Sequence, residues 1–62
     1  MIEFDIRNEG SLVLFTPLDD AAKEWWEENV ESAQTFGPAY VVEHRYAGGI
    51  IEGISAAKEG EI

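Results

Sequence analysis

The sequence predicts a small α+β fold in which two helices pack on one face of a sheet of three or four strands. Three observations lead to this prediction. Apolar and polar residues alternate near the start of the chain, a short apolar run follows, and two later segments space their apolar residues as helices do. The expected order is β-β-α-β-α, with residues 61–62 as a candidate last strand. Residues 1–62 are expected to form a single domain.

The first two strands are predicted to form a β-hairpin. Residues 2–7 alternate between apolar and polar side chains, which is typical of a half-buried strand. Residues 8–10 form the turn, where Gly10 can adopt a positive φ. Residues 12–15 are a continuous apolar run, so this strand is expected to be central and buried on both faces.

A helix is predicted to follow the hairpin and to end near Ser32. Thr16 is the expected N-cap, Pro17 suits the first helical position, and Asp19 completes a variant of the capping box. Asn29 lies within the apolar face, where its side chain either finds a partner or marks the end of burial. The face expected to be buried comprises Leu18, Ala22, Trp25, Trp26 and Ala33.

The second half of the chain is predicted to contain one strand and one helix. Residues 35–38 indicate a loop, residues 39–43 a strand and residues 44–45 a short connection. If this strand ran parallel to the second strand, a right-handed crossover would join them. The helix then extends to about Lys58, with Gly60 as its stop. Its apolar face comprises Tyr46, Ala47, Ile50, Ile54 and Ala57.

Three glycines interrupt the second predicted helix, although each costs up to about 1 kcal/mol relative to alanine. They are Gly48, Gly49 and Gly53. Gly49 and Gly53 stand one turn apart and would let another backbone approach closely.

Composition restricts the classes of function. Thirteen acidic residues against four basic ones give a net charge of −9, which repels nucleic acid and anionic membranes and attracts basic surfaces. The absence of cysteine removes disulfides, zinc thiolates and redox chemistry. The chain shows no signal peptide and no bilayer-spanning apolar run, so a cytoplasmic location is expected. Domains of this size often gain stability from a partner subunit, which makes a homodimer one expectation.

No catalytic motif is present, and the protein is expected not to be an enzyme. The sequence contains no Ser-His-Asp pattern, no nucleotide-binding loop and no zinc-ligand spacing. His44 beside Arg45 is a candidate pair, but a single histidine at a strand end is more often a surface or packing residue. Carboxylates on one side of a helix cannot wrap a cation, so neither a metal nor a cofactor is expected.

An acidic stripe is the most specific feature of the sequence. Asp20, Glu24, Glu27 and Glu31 fall within about 60° of one another on a helix, over a length of about 16 Å. Glu28 lies beside them. The stripe is either a solvated face that favours solubility or a row of carboxylates, about 6 Å apart, that imitates nucleic-acid phosphates.

The aromatic residues offer candidate binding anchors. Trp25 and Trp26 are adjacent, so only one of them can face the core squarely on a helix. Either both are core residues, or one is a partly exposed anchor beside the acidic stripe. Phe36 and Tyr40 are weaker candidates of the same kind.

Three segments resemble a family of small uncharacterised bacterial and prophage proteins. They are GSLVLFTPL at 10–18, AKEWWEENV at 22–30 and AYVVEHRY at 39–46. That family supplies no established catalytic residues. In size and acidity the chain is also similar to the anti-CRISPR proteins, which are phage-encoded inhibitors of host defence.

This resemblance implies a nucleic-acid mimic that blocks the basic groove of a host nucleic-acid-binding complex. The partner-binding residues would be Asp20, Glu24, Glu27, Glu28 and Glu31, with Trp25 or Trp26 as the apolar anchor. The alternative is a structural or regulatory module, antitoxin-like or an adaptor. That module would bind through a sheet edge or the glycine-rich helix.

Overall fold

A computed structural model describes residues 2–30 and 34–60 of the chain. Its four-stranded sheet has the order β1-β2-β4-β3, and every neighbouring pair is antiparallel. The predicted α+β class is confirmed, with one more strand than the expected β-β-α-β-α order. The elements are β1 Phe4–Asn8, β2 Leu12–Pro17, α1 Asp20–Asn29, β3 Gln34–Phe36, β4 Ala39–Glu43 and α2 His44–Glu59.

The hairpin of β1 and β2 forms as predicted, with Ile6 opposite Phe15. Gly10 adopts a φ of +84° in its turn, and its N–H donates to Asn8 Oδ1 at 2.9 Å. The expected burial of β2 on both faces is wrong, because both helices pack on the same face of the sheet. Phe15 is buried on that face, whereas Leu12 on the other face is 40% exposed.

Helix α1 begins three residues later than predicted. Asp19, rather than Thr16, is the N-cap, and its Oδ1 accepts a hydrogen bond from the Ala22 N–H at 2.7 Å. Pro17 remains in β2, opposite Phe4, because strand pairing continues to that point. The helix also ends earlier than predicted, at Asn29, where the extended conformation of Val30 terminates it.

Replacement of Asp19 by alanine should lower the free energy of unfolding by about 1 kcal/mol, since it leaves an N-terminal amide of α1 without its acceptor. Asp19→Asn should retain most of the stability, because asparagine caps a helix as well as aspartate does. Urea denaturation of both variants measures the difference. An equal loss in both would contradict the capping role.

The segment predicted as a loop at 35–38 contributes instead to a second hairpin. Phe36 of β3 pairs with Ala39 of β4, and Gly37 turns the chain with a φ of +61°. His44 belongs to the first turn of α2 rather than to a connection, and its N–H still donates to the Ser11 carbonyl at 2.9 Å. The predicted stop of this helix at Gly60 is confirmed.

The third predicted strand, now β4, runs antiparallel to β2. The parallel arrangement that would have required a crossover between these two strands therefore does not occur. Because β3 is antiparallel to β4, it runs in the same direction as β2, and α1 lies on the connection between them.

The core lies between the sheet and the two helices. Cross-strand pairing places Val13 opposite Val42 on the covered face. Leu18 and Tyr46 are 61% and 57% exposed, so their expected burial is wrong, and Ala33 lies outside the described residues. The core cluster comprises Val13, Phe15, Trp26, Val42, Ala47 and Ile54.

Candidate protein-interaction site

The outer side of α1 forms an acidic face, defined here as Asp20, Glu24, Glu27 and Glu28. All four side chains are exposed, while Ala22 and Trp26 on the opposite side of the helix are buried. Glu31, the last residue of the predicted stripe, lies outside the described residues. The acidic face within the helix is therefore about 12 Å long, shorter than the predicted stripe.

The negative charge of the acidic face is not neutralised within the described part of the chain. None of its four carboxylates forms an ion pair or hydrogen bond with a described residue. Two of the basic side chains are engaged elsewhere, since Arg45 pairs with Glu43 and Lys58 with Glu3, each at 3.2 Å. Lys23 is the only basic residue of α1.

The acidic face also opposes the electrostatics of its own helix. The last turn of α1 contains no basic residue, and Glu27 and Glu28 lie close to its carboxyl end. That end carries a partial negative charge, so carboxylates there destabilise the helix by about 0.3–1 kcal/mol each when exposed. The fold itself therefore does not explain these two charges.

Trp26 is 2% exposed and cannot serve as the apolar anchor for a partner. Its ring stacks on Tyr40 with a centroid distance of 4.5 Å and an interplanar angle of 6°, and Phe15 lies at 5.1 Å. The expected partner-binding role of Trp26 is wrong, because its ring fills the space between α1 and the sheet. Tyr40 is half-buried by the same stack.

Trp25 is half-buried between the two helices. Phe4 meets its ring edge-on at 6.2 Å, and a Cβ added at Gly53 would lie 3.3 Å from its Cζ2. Gly53 thus has a close neighbour, but that neighbour is an indole ring and not the backbone that was predicted. At Gly49 the prediction is wrong, since nothing lies within 4 Å of an added Cβ.

Leu18 is an exposed apolar residue that was not among the residues predicted to contact a partner. It lines a shallow groove between the start of α1 and the β3–β4 turn, together with Pro17, Pro38 and Asp20. The sequence holds one signal for its exposure. With Asp19 as the N-cap, the position that would pack on Leu18 is Lys23, which is not apolar.

The face of the sheet opposite the helices is uncovered by any described element. Cross-strand register places Leu12, Leu14, Phe36 and Val41 on it. Phe36, a weaker candidate in the sequence, is 73% exposed. This uncovered face is the second surface on which a protein partner could be accommodated.

The described residues offer little that resembles a catalytic or metal centre. His44 is exposed at the start of α2, and the neighbouring Arg45 pairs with Glu43. Within residues 2–30 and 34–60, no three His, Asp or Glu side chains converge as metal ligands would. Neither helix in these ranges has the length and apolar composition needed to cross a membrane.

Comparisons of the chain with known protein families, curated proteins and solved structures find no match.

Proposed function

We propose that the protein is a non-enzymatic inhibitor that uses the acidic face of α1 to occupy a basic, nucleic-acid-binding groove on another protein. The observation that carries this proposal is the row of four carboxylates on the side of α1 opposite the buried Trp26, none of which pairs with a described residue. The inhibitor would act in the host cytoplasm by competing with DNA or RNA, without turnover.

The geometry supports mimicry because the carboxylates stand on a fixed scaffold. Asp19 caps the start of α1, and the stack of Trp26 on Tyr40 holds the helix against the sheet. Charges one turn apart are then separated by about 6 Å. A basic groove gains from charges on such an ordered helix, because little backbone entropy remains to be lost on binding.

The energetics of α1 support the same proposal. Glu27 and Glu28 act against the helix dipole, and like charges one turn apart repel one another. A binding surface often retains such charges at the expense of stability. Among basic partners, the groove of a CRISPR effector complex is the first candidate, given the similarity in type to anti-CRISPR proteins.

Two triple variants with the same change of charge test the proposal. The first neutralises three of the four carboxylates of the acidic face through Glu24→Gln, Glu27→Gln and Glu28→Gln. The second, a matched control, changes the exposed Glu9, Glu52 and Glu59 to glutamine. We expect the first to weaken binding to the groove-containing complex by about 10-fold or more and the second to have little effect. Competition with the DNA or RNA of that complex is the measurement.

Stability and salt dependence complete this experiment. The first variant should unfold at the same or a higher urea concentration than the wild type, so that lost binding cannot result from unfolding. Binding by the wild type should weaken as salt rises, since it depends on charge. Equal losses of binding affinity in the two triple variants would exclude mimicry by α1. A wild-type affinity that does not change with salt would exclude it as well.

The uncovered sheet face supports a second candidate function, that of an adaptor or antitoxin-like module. The observation that supports this function is the 73% exposure of Phe36 on the same face as Leu12, Leu14 and Val41. Binding that survives neutralisation of the acidic face but is lost on Phe36→Ser would favour this function over the mimic.

A further inference from the structure

Strand β1 has one backbone edge that no described strand covers. It lies at the end of the sheet, and among the described strands only β2 pairs with it. The Glu9 N–H donates to the Leu12 carbonyl, and the Leu18 N–H to the Glu3 carbonyl, both at 2.8 Å. These bonds identify which residues of β1 form the hydrogen-bonded pairs of the antiparallel ladder.

Hydrogen-bonded and non-hydrogen-bonded pairs alternate along such a ladder. Since Glu3 and Glu9 are in hydrogen-bonded pairs, Asp5 and Arg7 between them also direct their backbone groups toward β2. The N–H and C=O groups of the remaining residues of β1 therefore point away from the sheet. These residues are Phe4, Ile6 and Asn8.

The side chains of β1 are self-complementary around Ile6. Asp5 and Arg7 flank it, are exposed and lie on the uncovered face of the sheet. Arg7 forms no ion pair or hydrogen bond through its side chain with any residue of the described ranges. If a second β1 ran antiparallel with Ile6 opposite Ile6, each Asp5 would face an Arg7 of the other copy.

The apolar contacts fit the same arrangement. Ile6 is 41% exposed on the helix side of the sheet, where it borders a groove lined also by Val13, Gly48 and Ile51. Ile51 is 38% exposed. Antiparallel pairing centred on Ile6 would bring the two Ile6 side chains together beside these grooves.

We propose that two copies of the chain pair through β1, antiparallel about a two-fold axis at Ile6, and so form one continuous eight-stranded sheet. Ile6 would exchange two backbone hydrogen bonds with Ile6 of the second copy. Phe4 and Asn8 would pair in the same way on either side of it. Asp5 and Arg7 fall in the non-hydrogen-bonded pairs, where opposing Cα atoms are only about 4.5 Å apart.

The two-fold axis is perpendicular to the sheet, so the helices of both copies lie on the same side of the dimer. The acidic face of α1 points away from the sheet and does not take part in the pairing. The dimer is therefore independent of the proposed inhibitory function. The net charge of −9 on each copy opposes association, and added salt should strengthen the dimer by screening this repulsion.

Charge reversals at β1 test the dimer by sedimentation equilibrium. We expect the wild type to reach twice its mass of 6.9 kDa as concentration rises. Asp5→Arg and Arg7→Asp should each weaken the dimer by about 10-fold, because each places like charges opposite one another at two positions. The double variant should restore the dimer, and mixing the two single variants should give heterodimers.

These outcomes separate specific pairing from a general effect of net charge. Asp5→Arg makes the chain less negative and Arg7→Asp makes it more negative. A general effect of net charge would therefore strengthen the dimer of the first variant and weaken the dimer of the second. Opposite shifts, a double variant no better than the singles, or a wild type that stays monomeric up to millimolar concentration would overturn the proposal.

Hydrogen exchange provides a measurement on the unmodified protein. The Ile6 amide points away from β2, so its exchange should slow as protein concentration rises and the dimer forms. The Arg7 amide bonds to β2 in either state and is the internal control. Exchange at Ile6 that does not depend on concentration would also overturn the proposal.

Discussion

Replacement of Trp26 by alanine should remove a large share of the free energy of unfolding. Truncation of a buried tryptophan to alanine lowers the free energy of unfolding by about 3–5 kcal/mol. A domain of this length has a total stability of only about 3–9 kcal/mol. Trp26 is 2% exposed and contacts rings from three strands, namely Phe4, Phe15 and Tyr40. Far-ultraviolet circular dichroism and urea denaturation measure the effect.

Trp25→Ala is the matched control, since it makes the same chemical change one residue earlier. Trp25 is only half-buried, so its replacement should lower the free energy of unfolding by clearly less and leave the protein folded. If Trp25→Ala destabilised the fold as much as Trp26→Ala, the assignment of Trp26 as the central core residue would be wrong.

Gly53→Leu and Gly49→Leu should change stability in opposite directions, although they make the same substitution four residues apart on α2. At Gly53 an added Cβ already lies 3.3 Å from Trp25 Cζ2, so leucine must displace the indole, and overpacking of this kind costs about 1–3 kcal/mol. At Gly49 the space is open, and removal of a helical glycine stabilises by up to about 1 kcal/mol.

The two variants should therefore differ by about 2 kcal/mol in the free energy of unfolding, with the wild type between them. Urea denaturation followed by circular dichroism gives both values. Equal stability of the two variants would mean that Trp25 has room to move and that the contact with Gly53 does not constrain the helix pair.

Local patterns were sufficient to predict the hairpin of β1 and β2, strand β4 and helix α2. The alternation and the helical spacing identify these elements, although Leu12 and Tyr46 are exposed where burial was predicted. Gly10 acts through its own backbone, with a positive φ in the turn. Strand β3 could not be predicted in this way. It has three exposed residues, and only its pairing with β4, such as Phe36 with Ala39, makes it a strand.

The start of α1 shows why local signals can be ambiguous. Thr16 and Asp19 are both acceptable N-caps, and Pro17 suits the first turn of a helix. The choice depends on a distant partner, because pairing with Phe4 keeps Pro17 in β2. The same error placed Leu18 in the buried face of α1, where it does not belong.

The candidate site was predictable in part. Helical periodicity places Asp20, Glu24 and Glu27 on one side of α1, and they are exposed there. Helical periodicity could not predict which of the two tryptophans is fully buried, since adjacent residues differ by only 100° around a helix. The position of Tyr40 on the sheet settles which of them is fully buried.

The stack of Trp26 on Tyr40 also gives the protein an optical property. With ring centroids 4.5 Å apart, excitation absorbed by the phenol passes to the indole before the phenol can emit. Emission from native Tyr40 should therefore be quenched, and it should appear when the chain unfolds. Trp25, whose ring is partly accessible, is the indole that a dissolved quencher can reach. An added quencher should therefore reduce the emission of Trp25 more than that of the buried Trp26.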